Sequence, residues 1–342
     1  MRWLNILLIL TTLLAYLAPQ VSPNTFSLFS FFGLLYPWLV LGNLIFILFW
    51  WYRKDWYALF SIGCLLLGMN YIPTLFGTNL SKNDLSGTTK IISYNVYGLR
   101  GWDKESGWVY GNQLGEFQKQ KAAFGEVKIF AGQEMGENLA EKIGATFGLT
   151  SLVHFHTNGL LTSLPVKDKG KISFGKGTRN SCVWMDVVMQ KKVVRVYSLH
   201  LQSNQISGKA SKIAKEGDLR EKETWLDIKT VMGSYRKAAK IRAKQVDEVA
   251  AHIAACPYPV IICGDFNDTP ISYAYRTLGN NRKDSFCEQG IGLGTTYAGN
   301  IPALRIDYIL TDKVFQIGDY ERYTFDFSDH YGVGAAVRLN GM

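Results

Sequence analysis

Six short polar signals, each closing or opening an apolar run, constrain this chain more than any other feature. In order they are Ser93-Tyr94-Asn95, Gly132-Gln133-Glu134, Ser198-Leu199-His200-Leu201, Gly264-Asp265-Phe266-Asn267-Asp268, Arg305-Ile306-Asp307-Tyr308 and Ser328-Asp329-His330. The fourth is the clearest. Pro259-Val260-Ile261-Ile262-Cys263 reads as a fully apolar strand, Gly264 permits a tight bend, and Asp265 and Asn267 stand two residues apart, on one face of extended chain. A capped turn would use Asp and Asn in the same way, because both bond their own backbone. The Asp329-His330 pair weighs against that bland reading, and Asp307, from a neighbouring strand, can hold the imidazole. Strands that end alike gather their polar groups at one end of a sheet, as a metal-dependent phosphoester site requires.

All of these signals follow a strongly apolar N-terminus. Residues 1–76 carry four charged side chains, Arg2, Arg53, Lys54 and Asp55, so most of the net charge of +9 belongs to the remainder. Three apolar stretches, residues 3–18, 26–51 and 56–76, predict three transmembrane helices, since a bilayer core needs roughly 20 apolar residues in a helix. Trp50, Trp51, Tyr52, Trp56 and Tyr57 supply interfacial aromatics. The first stretch also fits a cleaved signal peptide, but it has no clear small-x-small cleavage signature. Arg2, Arg53 and Lys54 belong on the cytoplasmic side, which delivers residue 77 onward to the exoplasmic side, periplasmic in a bacterium. The expectation is a multi-pass membrane protein with the bilayer as a partner.

Residues 77–89 are polar and rich in turn formers and read as a linker from the membrane to a domain spanning 90–342. Within that domain, strands are expected at 90–96, 127–131, 152–155, 160–163, 181–189, 193–201, 260–263, 306–310 and 333–339, with helices at 113–124 and 218–255. Val183, Met185, Val187 and Met189 share one face. Many strands with no repeated βαβ unit suggest two sheets packed face to face with helices outside. The five cysteines fit no zinc motif. Cys182 and Cys263 read as core residues, and Cys256 with Cys287 is the one pair considered for a disulfide.

Taken together and in order, the six signals resemble the exonuclease-endonuclease-phosphatase superfamily of metal-dependent phosphoesterases over nearly all of residues 88–342. The resemblance implies an α/β fold, a four-layered αββα sandwich of DNase type, with the active site at one end of both sheets. Carried over residue by residue, it makes Glu134 the principal ligand of Mg²⁺ (or Mn²⁺), with Asn95 beside it and Asp329 helping to hold the metal or its waters. His330, oriented by Asp307, would be the general base or would stabilise the phosphorane-like state. Asp265 would orient the attacking water or assist the leaving group, and Asn267 and His200 would bond non-bridging phosphate oxygens. The chemistry accounts for the residue types, because in-line attack gathers negative charge on oxygens that a cation and neutral donors stabilise. Repair nucleases of the superfamily usually carry an acid two positions after the first Asn, where this chain has Tyr97.

Between Lys209 and Lys244 basic residues recur (Lys209, Lys212, Lys215, Arg220, Lys222, Lys229, Arg236, Lys237, Lys240, Arg242 and Lys244), interrupted by acids. Such a stretch reads either as a solvated helix face or as a surface for phosphate polymers and anionic headgroups. The function expected is a membrane-anchored phosphoesterase acting on phosphodiesters or phosphomonoesters, lipid headgroups or small esters among them. An endonuclease acting on extracytoplasmic nucleic acid is the enzymatic alternative, and a non-catalytic binding domain the remaining one.

Overall fold

The computed structural model describes residues 1–79, 85–103, 107–108, 113–204, 213, 220–299 and 301–340. Two six-stranded sheets form its centre. One contains β2 (Thr89–Asn95), β5 (Val127–Gln133), β6 (Ser151–Phe155), β7 (Asn158–Thr162), β15 (Phe315–Tyr323) and β16 (Gly332–Leu339), in the order β15-β16-β2-β5-β7-β6. The other contains β8 (Val166–Ser173), β9 (Ser181–Met189), β10 (Lys192–His200), β11 (Val260–Asp265), β12 (Arg282–Asp284) and β14 (Asp307–Asp312), in the order β12-β14-β11-β10-β9-β8. Two minor pairs join β1 (Phe76–Thr78) to β13 (Ile291–Leu293) and β3 (Trp102–Asp103) to β4 (Gly107–Trp108).

Period-two alternation decides what each face does. Ile91, Ile129, Val183, Met185, Val196, Ile261, Ile309 and Val333 point between the sheets and form one buried cluster. Their neighbours point outward. Ile92, Tyr94 and Phe130 pack under the helices Leu114–Lys119, Lys121–Phe124 and Glu137–Phe147. On the other side Tyr197, Ile262 and Leu310 pack under the long helix Lys222–Ala254 and the helix Tyr273–Gly279. Full burial of a side chain such as Phe130 stabilises by roughly 1.5–3 kcal/mol. The layering is therefore αββα.

The N-terminal region differs in detail from three straight spans. Its helices are Arg2–Ala15, Leu28–Leu34, Tyr36–Tyr52 and Ala58–Leu67, followed by a 3₁₀ turn, Met69–Thr74. Pro37 lies in the first turn of Tyr36–Tyr52, where it cannot donate an N–H and disfavours helical geometry before it, so the 26–51 stretch breaks at Leu35. Among the described residues no single helix is long and apolar enough to cross a membrane, whereas Leu28–Leu34 and Tyr36–Tyr52, bent by 62°, meet that requirement by length and composition as a pair. The 56–76 stretch ends as a helix at Leu67, and Phe76 already belongs to a strand.

The start of the expected linker is likewise tied to the domain. Gly77 and Thr78 pair with Gly292 and Ile291, and Asn79 Nδ2 donates to Cys287 O at 3.1 Å. Residues 80–84 lie outside the described residues. All five cysteines are free thiols, so Cys256 and Cys287 form no bridge. Lys209, Lys212 and Lys215 also lie outside the described residues. Of the remaining basic stretch, Arg242 is buried and ion-paired rather than part of an exposed stripe.

Candidate active site

β2 and β5 run parallel, as do β10 and β11, and all four finish at the same end of the sandwich. β14 is antiparallel to β11 and β16 to β2, so both begin there. The inward phase that buries Ile91, Ile129, Val196, Ile261 and Ile309 therefore continues into Asn95, Gln133, His200, Asp265 and Asp307. Register sharpens the convergence: Asn95 stands opposite Gln133, and Asp265 is flanked by His200 on one neighbour and Asp307 on the other. The alternation of sequence thus turns a hydrophobic core into a polar cleft within a single strand.

Local backbone aims the remaining groups. Gly264 has φ 143°, and a Cβ there would lie 2.0 Å from Leu199 O, so no larger residue fits where β11 closes on β10. Glu134 and Asn267 both hold positive φ, 51° and 52°, immediately after their strands. Such strained conformations cluster at functional sites, where the surrounding structure enforces them.

Asp265 is the hub. It is 1 % exposed, accepts Asn267 N at 2.7 Å on Oδ1, and accepts Asn95 Nδ2 at 3.0 Å and Asn267 Nδ2 at 3.1 Å on Oδ2. His200 Nε2 and His330 Nε2 each lie 3.8 Å from the same Oδ2. Burial raises the Asp265 pKa, opposed by His330, His200 and the Asn95 amide. Burial opposes charge on His330 too, but Asp307 and Asp265 prevail and hold its pKa well above the ordinary imidazole value. Asp307 contacts His330 Nδ1 at 3.0 and 3.2 Å, which leaves Nε2 facing the cleft. The Tyr297 ring packs edge-on against that imidazole at 5.6 Å, and Ser328 Oγ accepts the His330 amide while donating to Asn95 O.

Glu134 is the most open of these groups. Asn95 Nδ2 reaches its Oε1 at 3.4 Å and His200 Nε2 lies 3.9 Å away. Asp329 borders the same space. Burial raises its pKa, His330 lowers it, and the charges of Glu134 and Asp265 raise it further. Of the expected ligands, Asn95 and Glu134 are in contact, and Asp329 is near enough to Glu134 and Asp265 for their charges to act on its carboxyl. A second grouping, Asp265, Asp307 and His330, has ligating atoms all within 4.8 Å of one another.

Two findings refine the reading of individual residues. The carboxamide of Asn267 donates to Asp265 and to Leu201 O at 3.0 Å, so both its N–H groups are engaged within the protein, and the expected bond to a phosphate oxygen gives way to fixing Asp265. Both ring nitrogens of His200 are buried without a hydrogen-bond partner, as befits a side chain that binds a ligand atom. A polar layer beneath the site escaped sequence reasoning. Gln133 Nε2 donates to Ser198 Oγ at 3.1 Å, Ser198 Oγ donates to Asn158 Oδ1 at 2.6 Å, and Asn158 Nδ2 bonds Ser181 O and Ser198 O. The inward strand phase signals Gln133 and Ser198, whereas Asn158-Gly159 reads only as turn chemistry.

Comparison with known proteins agrees with this geometry. Residues 92–330 match the model of the Endonuclease/Exonuclease/phosphatase family, an interval that contains every residue of the cleft. Residues 1–75 match a domain of unknown function, DUF8431. No curated protein matches the sequence. Among solved structures, a humanized D. rerio TDP2 is 16% identical with a TM-score of 0.52, covering 74% of this chain and 100% of its own. A Beutenbergia cavernae endonuclease/exonuclease/phosphatase is also 16% identical at TM-score 0.52, covering 74% and 72%. A Bacteroides vulgatus endonuclease/exonuclease/phosphatase is 15% identical at TM-score 0.51, covering 74% and 99%. At such identities these likenesses speak to the fold, while the family model spans the six signals themselves. The chain belongs to the endonuclease/exonuclease/phosphatase family of phosphoester hydrolases.

Proposed function

We propose that this protein is a divalent-metal-dependent phosphoesterase, held at a bilayer by its N-terminal helices, in which water attacks phosphorus in line. The observation that carries the reading is the convergence of Glu134, Asn95, His200, Asp265, Asp307 and His330 on one cleft. The residues fit a cation. Four carboxylates, Glu134, Asp265, Asp307 and Asp329, border the cleft, and among the described residues no Lys or Arg is ion-paired to any of them. Glu134, Asn95 and Asp329 offer the hard oxygens that Mg²⁺ or Mn²⁺ prefers. When bound, the cation offsets charge that develops on the phosphoryl oxygens.

The chain's own groups divide the remaining work. Asp265, pinned as an acceptor by three N–H donors, takes the proton of the attacking water at Oδ2. His330, whose carboxylate neighbours favour the imidazolium, presents Nε2–H to the phosphoryl group. His200 Nε2 donates to a non-bridging oxygen. Proton transfer by positioned groups of this kind contributes ~10²–10⁴ in rate.

The bilayer half of the reading rests on an inside-out N-terminal unit. Asn5, Thr12, Asn43 and Ser61 are fully buried, with Asn5 Nδ2 donating to Ser61 Oγ at 2.8 Å, Asn43 Nδ2 to Thr12 Oγ1 at 2.9 Å and Trp50 Nε1 to Asn5 Oδ1 at 2.9 Å. Trp3, Leu7, Leu10, Leu41, Ile45, Leu48 and Leu67 are exposed instead. Polar contacts inside and apolar side chains outside suit hydrocarbon, not water. Arg2 pairs with Asp55 at 2.9 Å, which gathers the few charges at one end and supports the exoplasmic orientation of the domain.

Tethering favours phosphoesters at or near the membrane. The test is turnover by the full chain in detergent micelles or vesicles with Mg²⁺, comparing phospholipids, p-nitrophenyl phosphate, bis-p-nitrophenyl phosphate and plasmid DNA. Hydrolysis of lipid headgroups or small esters with plasmid intact supports the reading. Nicking of plasmid alone would make this an anchored nuclease, and inactivity on every substrate would leave a binding domain.

A further inference from the structure

Asp268, the residue after Asn267, lies at the centre of a buried network that the hydrolytic reading does not use. Its Oδ2 receives Arg242 Nε at 3.1 Å, with Arg242 Nη2 in ion-pair contact at 3.1 Å, and its Oδ1 receives Tyr235 OH and Thr269 N, each at 3.1 Å. Arg242 reaches further, donating from Nη1 to Gln202 O at 2.9 Å and to Asn204 Oδ1 at 2.6 Å, and Asn204 Nδ2 donates to Asn267 O at 3.0 Å. The loops that follow His200 and Asp265 are thereby tied together directly behind Asn267.

The outer wall of this network is supplied by the N-terminal region. Tyr235 OH shares its proton with Ser30 O at 3.1 Å, and Thr269 Oγ1 donates to Gly33 O at 3.3 Å. Gly33 lies so close to the loop that a Cβ would stand 2.1 Å from Ile271 O. An anchor needs no such contact, because a flexible linker suffices to tether a domain. Nor is a buried ion pair evidence of stabilisation in itself, since desolvation offsets much of its attraction. What the arrangement does supply is a fixed backbone at Asn267, whose amide and carboxamide hold Asp265.

We infer that the helix Leu28–Leu34 is a positioning element of the active site, acting through Tyr235, Asp268 and Arg242 to fix Asn267. The catalytic consequence rests on the hydrolytic reading above, while the ordering of the loop does not. Two variants of the full chain test it: Tyr235→Phe, which deletes the shared hydroxyl, and Gly33→Ala, which pushes the helix off Ile271. Tyr258→Phe, an exposed ring beside Arg195 at the end of β11 opposite the site, is the control.

Hydrogen exchange at the Asn267 and Thr269 amides should quicken by about tenfold or more in both variants and stay unchanged in the control. Turnover should fall about tenfold in Tyr235→Phe with KM within about twofold. In an Asn267→Ala background, Tyr235→Phe should cause no further loss, because the two act in series. Unchanged exchange in Tyr235→Phe overturns the inference, and so does a turnover loss that persists at full size in the Asn267→Ala background. A wild type inactive on every phosphoester would sink the hydrolytic reading alone, and exchange would then decide this one.

Discussion

Asp265 meets both catalytic-side imidazoles at 3.8 Å and takes three N–H donors, so replacing it disturbs every arm of the site at once. Asp265→Asn, His330→Ala and Glu134→Ala are each expected to lower turnover by at least ~10²-fold with the fold intact, measured as kcat beside a circular dichroism melt. Activity of His330→Ala within a few-fold of wild type would remove it from the mechanism. Gly264→Ala should act differently. It forces a Cβ against the Leu199 carbonyl and should cost at least about 2 kcal/mol of stability, read from denaturant unfolding. At this scale the candidate residues were legible because each strand announces its polar terminus. Arg242 was not: its place in a run of lysines hid it, although Tyr235, Ala238, Ala239, Val246 and Val249 mark the buried face on which it falls.

At the scale of elements, the long helix Lys222–Ala254 joins the second sheet partly through His252, whose Nδ1 lies 2.8 Å from Tyr197 OH. Burial lowers the His252 pKa, the nearby Arg195 lowers it further, and Asp186 opposes both. The folded state therefore favours the neutral ring. Its contribution is complete above the unfolded value near 6.5 and is lost as pH falls through the depressed folded value. Acidification from about pH 7.5 to 5 should then lower the melting temperature more in wild type than in His252→Gln, and an equal drop would refute the assignment. Apolar central strands were readable from their runs. β8 and β15 were not, because both are edge strands whose alternate positions carry charge, among them Lys167, Lys169 and Lys171 in β8 and Asp319 and Glu321 in β15. Charged edges deter pairing with other chains and at the same time erase the strand signal. The broken 26–51 stretch has a similarly local cause, because hydropathy registers length while Pro37 decides where the helix stops.

For the whole molecule, the N-terminal region and the domain are one packed body. Leu34 and Trp38 pack against Tyr297, Leu304 and Ile306, Ala18 and Tyr36 pack against Ile271, and Arg305 Nε donates to Thr74 O at 3.0 Å. Tyr297 in turn touches the His330 ring, so the wall of the cleft is continuous with the helices read as membrane-embedded. The inside-out composition of those helices predicts that the full chain stays with the membrane fraction through an alkaline carbonate wash, and recovery in the supernatant would contradict it. A reporter fused to the C-terminus should be active outside the cytoplasm. The central claim, that the cleft is a metal-dependent phosphoester site, is tested most directly by chelation and metal return on the purified full chain acting on bis-p-nitrophenyl phosphate, with Glu134→Ala in parallel. The account predicts that EDTA abolishes turnover, that Mg²⁺ or Mn²⁺ restores it to wild type, and that Glu134→Ala remains at least ~10²-fold slower at saturating metal. Turnover that survives exhaustive chelation, or a Glu134→Ala protein as active as wild type, would contradict it.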